Sequence, residues 1–276
     1  MKRLITLLAL LPSWLGILAQ EADKTVLKIH YRTSARTHAD DTLHQEDTHA
    51  LFIGERTSKY LSLNTLRRNQ ALDSLKYRGK MSVAELSDVM NSSKMPKAGS
   101  TYMVIKGWPQ EGQTVYIAPV LRTKYAVSDT LHPFDWQLLE GDTAVAGYQC
   151  QKAQCTWRGR TWTVWYAPEL PYDNGPWKLG GLPGLVLHAE DAAGDFCFSA
   201  QEIIKGRGEP ILPEKKLSYC TMKEYQSVKT KMESDPAGFI SQMTGGRITL
   251  GGTLPDGTES VIPSHQPLFM ESIEKK

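Results

Sequence analysis

The sequence predicts an α+β fold that is mainly β: a curved antiparallel sheet, a meander of half-barrel character, packed with helices near residues 65–91 and 221–243. Three observations predict it. Between residues 101 and 204, short runs rich in Val, Ile, Thr, Tyr and Trp are separated by Gly, Pro, Asp and Asn, the pattern of strands joined by tight turns. Every Trp except Trp14 falls between Trp108 and Trp177. On either side of that block, apolar residues recur at helical spacing among charged ones.

The first stretch precedes the fold. Lys2 and Arg3 lead into an apolar run from Leu4 to Ala19, the layout of a secretory signal peptide over residues 1–19. The run is shorter than the roughly 20 apolar residues of a bilayer-spanning helix. The expectation is an exported protein that does not span the membrane and resides in the periplasm, at the outer membrane or outside the cell. A single domain would occupy residues 20–276. The whole chain has 32 Lys and Arg against 30 Asp and Glu, and losing Lys2 and Arg3 leaves 30 against 30. A chain without net charge has no electrostatic footprint for nucleic acid.

Residues 25–31 alternate as a strand, and 50–63 read as strand, turn, strand. From 65 to 91, Leu66, Leu72, Leu75, Val83, Leu86, Val89 and Met90 keep helical spacing, and Pro96 and Gly99 close the stretch. Strands are expected at 101–106, 113–118, 122–127, 135–140, 145–156, 161–167, 184–191 and 195–204, with Arg158-Gly159-Arg160 turning a hairpin. Helices follow at 223–232 and from Asp235-Pro236, an N-cap followed by proline at the first helical position. The Gly- and Thr-rich stretch from 244 to 262 suits a hairpin turning at Asp256-Gly257.

The segment from Tyr166 through Trp177 to Gly180-Gly181-Leu182-Pro183-Gly184-Leu185-Val186 resembles the hallmark of the GLPGLI family, exported proteins of Gram-negative bacteria without an assigned activity. Val186 stands where the family name has Ile. Gly147-Tyr148-Gln149-Cys150, Lys223-Glu224-Tyr225 and Asp235-Pro236-Ala237-Gly238-Phe239 are similar to further family segments, so the resemblance spans roughly residues 25–270. A weaker fold-level likeness links the meander to the LolA-like half-barrels of periplasmic lipoprotein carriers, which implies a sheet able to hold a hydrophobic ligand.

Within the hallmark, the glycines suit a tight turn and Pro183 supplies no amide hydrogen for an anion, so Gly180, Gly181, Leu182, Pro183, Gly184 and Leu185 read as a structural motif. In an exported chain the four cysteines are candidates for disulfides. Cys150 and Cys155, about 16 Å apart on one extended strand, exceed the roughly 7 Å Cα limit. Two pairings therefore remain: Cys150–Cys197 with Cys155–Cys220, or Cys150–Cys220 with Cys155–Cys197.

Three function classes follow. The first is a non-enzymatic binding or carrier protein for a hydrophobic or extended ligand, or for a partner protein of the envelope, using Trp157, Trp162, Trp165 and Trp177 with Arg158 and Arg160. The same aromatics equally suit a core. The second is an envelope hydrolase around residues 166–191 that gathers His188 with Glu169, Asp173 or Glu190. No Gly-x-Ser-x-Gly elbow or His-Glu-x-x-His motif supports it. The third is metal handling by His38, His44 and His49, although their spacing fits no zinc motif and a solvated loop also explains them. No cofactor is implied.

Overall fold

The computed structural model describes residues 22–76, 85, 89, 92, 95–131, 134–212, 214–245, 251–253, 259–261 and 265–271. The signal-peptide run, most of the second half of the helix expected at 65–91, and the Asp256-Gly257 turn lie outside these residues.

A short strand β1 (Asp23–Lys24) comes first. Then β2 (Leu27–Ala35), β3 (Gln45–Ile53) and β4 (Ser58–Ser62) lead into helix α1 (Leu63–Lys76). Ser62 caps that helix, its Oγ accepting from the Thr65 amide at 3.1 Å. The chain continues through β5 (Met103–Lys106), β6 (Gln113–Val120) and β7 (Thr123–Thr130). A second run follows: β8 (Gln137–Val145), β9 (Tyr148–Trp157), β10 (Arg160–Ala167), β11 (Leu185–Asp191) and β12 (Phe196–Lys205). Short strands β13 (Pro210–Ile211) and β14 (Leu217–Tyr219) precede helices α2 (Met222–Ser234) and α3 (Pro236–Thr244), and β15 (Gly251–Thr253) pairs with β16 (Glu259–Val261).

Twelve strands make one sheet, in the order β14-β7-β6-β5-β4-β3-β2-β12-β11-β10-β9-β8. It is antiparallel apart from β14, which runs parallel to β7. The fold is two meanders, β2 to β7 and β8 to β12, joined where the first strand of one pairs with the last strand of the other. That confirms the α+β, mainly β architecture with a curved sheet, which is not closed into a barrel. Among the described residues no helix is long and apolar enough to cross a membrane.

Alternation divides the sheet into an inner and an outer face. Ile29, Tyr31, Leu51, Tyr60, Val104, Trp162, Val164 and Phe198 are buried on the inner face and form the main core. Against it packs the long connection between β10 and β11, which holds the hallmark. Lys106, itself buried, donates from Nζ to Asn174 Oδ1 (2.9 Å) and to the carbonyls of Gly175 (2.9 Å) and Leu179 (2.6 Å), matching an ammonium's three donors. Burial, partly opposed by the Asp173 carboxylate, pulls this amine down to about 7. Trp136 Nε1 donates to the Gly180 carbonyl and Tyr31 Oη to that of Val186. A Cβ on Gly184 would run into the backbone of Ala167, so only glycine fits there. Gly175 to Gly180 are buried as a plug on the core, whereas Gly181 and Pro183 at the turn are exposed.

All four cysteines are free thiols, against the disulfides expected. Cys155 is on the inner face, opposite Trp162, whereas Cys197 is on the outer face, opposite Glu190. With β10 and β11 between their strands, they are about 14 Å apart at 4.7–4.9 Å per strand, beyond any bridge. Cys220 follows β14 at the opposite edge of the sheet from Cys150 on β9.

Candidate functional site

Over the inner face lie α2, the hallmark plug and the C-terminal segment 265–271, and between them is a cavity of about 350 Å³. Helix α2 is set by a capping box: Thr221 Oγ1 accepts from the Glu224 amide while Glu224 reaches back to the Thr221 amide. This helix turns Tyr225 inward, where its ring meets Tyr116 edge-on at 5.6 Å. The segment 265–271 is tied across the opening. Leu268 donates its amide to Thr37 (2.8 Å), His265 to Glu233 (2.9 Å), and Gln226 Nε2 donates to the Glu271 carbonyl (2.8 Å).

Beneath the cavity a buried ion network fixes the walls. Lys178 Nζ lies 2.6 Å from Glu271 Oε1 and 3.4 Å from Asp129 Oδ2, and Arg158 pairs with both carboxylates. Lys178 also sits over the rings of Trp157, Trp177 and Tyr116. Breaking one member would strand a buried charge.

One end of the cavity is polar. β2 pairs with β3 so that Thr33 faces Asp47 and Tyr31 faces His49. His49 is buried in a cluster of rings with Tyr60 (4.8 Å) and Tyr102 (5.5 Å), whose own centroids are 6.4 Å apart. Its Nδ1 lies 2.9 Å from Thr33 Oγ1, its Nε2 2.7 Å from Ser100 Oγ, and Asp47 Oδ2 is 3.8 Å from Nδ1. Gly99 lets residue 100 approach, because a Cβ there would run into Asp47 and Ser62. The line Asp47, His49, Ser100 has the order of a nucleophile with its base and orienting acid.

Two features tell against nucleophilic chemistry. Desolvation pulls the His49 imidazole down to about 4, with the Asp47 carboxylate opposing. A general base works best near the ambient pH, and burial moves this one below it. The Ser100 amide, the natural oxyanion donor, is spent on Asp47 Oδ2 at 2.8 Å. The same carboxylate also accepts from Ser62 Oγ (3.1 Å) and Asn64 Nδ2 (2.8 Å). What remains is a set of hydroxyl and imidazole groups held around the Asp47 carboxylate.

The residues singled out from sequence fall in different places. Trp162 and Trp177 are fully buried and Trp157 nearly so, forming a core cluster in which Trp177 alone walls the cavity. Arg160 binds Asp191 (2.5 Å) and Asp195 (2.9 Å), and Arg158 is held in the ion network. Trp165 lies on the outer face, edge-on to His188 at 5.0 Å. His188 meets Glu190 at 3.8 Å, but Asp173 accepts from the Gly181 amide and Glu169 is exposed in the turn after β10. The expected hydrolase constellation is thus split.

His38, His44 and His49 do not converge either. His38 lies beside Asp41 (3.4 Å), His44 Nε2 contacts the Gly194 carbonyl (2.7 Å), and His49 is a strand residue of the inner face rather than part of a loop. Sequence reading missed Ser100 and Tyr225, and took Asp47 only as one of the acids among the histidines. The alternation Asp47, His49, Leu51, Ile53 was the available signal, hidden by the charges around it.

No family model matches the chain, and no curated protein matches it. Among solved structures it is similar to PNGF-II in its P21 crystal form, at 14% identity and a TM-score of 0.47 over 74% of this chain. The C2 form gives 14% identity and 0.47 over 73%. This chain spans about a third of that protein, 32% of its length. A likeness at that level carries no argument about activity.

Proposed function

We propose that this is an exported, non-enzymatic binding or carrier protein of the GLPGLI type, and that its ligand is a compact molecule with an apolar or aromatic body and one neutral polar group. The cavity of about 350 Å³ under α2 carries the reading. Its volume lies at the small end of ligand pockets, roughly 300–1,000 Å³. Tyr102, Tyr116, Tyr225, Phe198 and Trp177 supply the apolar walls, and His49 with Ser100 supplies the polar end. A cavity of this size suits a short acyl or ring-bearing ligand better than a long lipid. An envelope partner protein remains the alternative occupant of the exposed edges.

The test is native mass spectrometry of the mature protein purified gently from its own envelope, against a denatured control. The expected result is a bound mass lost on denaturation, and lost also from Ser100→Trp, which fills the polar end, in a variant shown by circular dichroism to fold as the wild type. A bare wild-type protein that also fails to take up apolar fluorescent probes would overturn the carrier reading. Labelling of Ser100 by a fluorophosphonate would do so in favour of acyl transfer.

A further inference from the structure

On the outer face, behind the cavity wall, three side chains of different chemistry come together. β11 presents His188 and Glu190, two residues apart and therefore on one face, and β12 sets Cys197 directly opposite Glu190. Their ligating atoms all lie within 4.8 Å of one another, and His188 Nε2 is 3.8 Å from Glu190 Oε2. Among the described residues this is the one such group. We propose that His188, Glu190 and Cys197 form a zinc site with its fourth position open to solvent.

The distances suit the ion. Zinc bonds of about 2.0–2.1 Å to imidazole nitrogen, 2.0–2.2 Å to carboxylate oxygen and 2.3 Å to thiolate require, in a tetrahedron, ligand atoms about 3.4–3.6 Å apart. The observed spread closes to that by small side-chain rotations on fixed strands. Nitrogen, oxygen and sulfur together favour a borderline ion over magnesium or calcium, which take oxygen. Binding releases the Cys197 thiol proton to solvent and leaves thiolate and carboxylate to balance the 2+ charge.

The surroundings hold the ligands in place. The register of β10 with β11 shifts between Trp165 and Tyr166, a bulge that skips Leu187 next to His188. Trp165 braces the imidazole ring, and Lys152 lies over the far side of the system at 5.5 Å from the indole. Arg32, on the neighbouring strand β2, is paired with Glu46 at 2.7 Å and its charge also favours the Cys197 thiolate. Phe198 and Ala189 alternate to the opposite face, so this site is independent of the cavity.

The decisive experiment titrates the mature, chemically reduced protein with Co²⁺ and records absorption, then adds Zn²⁺. One equivalent of cobalt is expected to give a thiolate-to-cobalt charge-transfer band that zinc bleaches. Cys197→Ser removes the band, His188→Ala and Glu190→Gln each weaken binding at least tenfold, and Cys220→Ser leaves it unchanged. In the unaltered protein, zinc slows alkylation of Cys197 at least tenfold and that of Cys220 not at all. Should Cys197→Ser fail to fold, the two other variants and the alkylation decide. A wild-type protein without the band, a band that survives Cys197→Ser, or alkylation indifferent to zinc would overturn the proposal.

Discussion

Two histidines on opposite faces of one sheet show how position decides what an imidazole can do. His49, on β3, is enclosed by tyrosine rings, has a hydroxyl on each nitrogen and stays neutral because charging it would cost its hydration. His188, on β11, keeps part of its surface in water and has a carboxylate and a thiol for neighbours. Burial lowers its affinity for protons as well, against the pull of Glu190. Both rings are predominantly neutral at pH 7. The enclosed ring has both nitrogens engaged by hydroxyls of the fold, whereas the open one stands beside a carboxylate and a thiol, the donor set of the proposed zinc site.

The largest break in that contrast comes from truncation at the buried site. His49→Ala is expected to cost about 3 kcal/mol in urea unfolding, from a cavity beside Tyr60 and Tyr102 and from polar partners left unsatisfied. A loss below about 1 kcal/mol would mean that the ring is not packed as described.

Next in size is the pH dependence. His49 holds a folded-state value near 4 against 6.5 for the free side chain, so between these limits the unfolded chain binds the extra proton. Stability therefore rises with pH through this window. The contribution is fully present above about pH 6.5 and falls by up to about 3 kcal/mol on descending to pH 4. Unfolding free energies measured at pH 7 and pH 4.5 should differ in this sense, and His49→Gln should flatten the slope while His188→Asn leaves most of it.

Ser100→Ala removes the hydroxyl at 2.7 Å from His49 and should cost about 1 kcal/mol. Ligand retention would fall with it, read by native mass spectrometry. Smallest of all, His188→Ala on the half-exposed face should change metal-free stability by less than about 0.5 kcal/mol. A cost similar to that of His49→Ala would erase the contrast and make His188 a packing residue.

Much of the fold was legible in the sequence because strands leave a period of two. All eight strands expected between 101 and 204 occur within a few residues of their places, since the Val-, Thr- and Trp-rich runs there are bounded by Gly and Pro. The site was far less legible. His49 and Ser100 are 51 positions apart and meet only because β3 pairs with β4 and Gly99 brings the chain close. His49 was read with His38 and His44 because acids surround all three, and charge density masked the strand alternation. The disulfide expectation failed for a related reason: spacing along the chain shows which cysteines are too close to pair on one strand, but not which face each one will occupy.

The strand order has a kinetic consequence. The central pairing joins β2 to β12 and brings Tyr31 opposite Ala200, so the middle of the sheet waits for a partner 169 residues downstream. Until then, β2 and β12 are each the open edge of a nearly finished meander, nine and ten residues long. Loop-closure entropy makes such a pairing slow, on the ms–s scale of sheets dominated by non-local contacts. During that interval the two edges present bare amide and carbonyl rows to any neighbour, including the same edges on another copy. Concentrated refolding should therefore yield exchanged dimers, each meander completed by its twin, before it yields monomer.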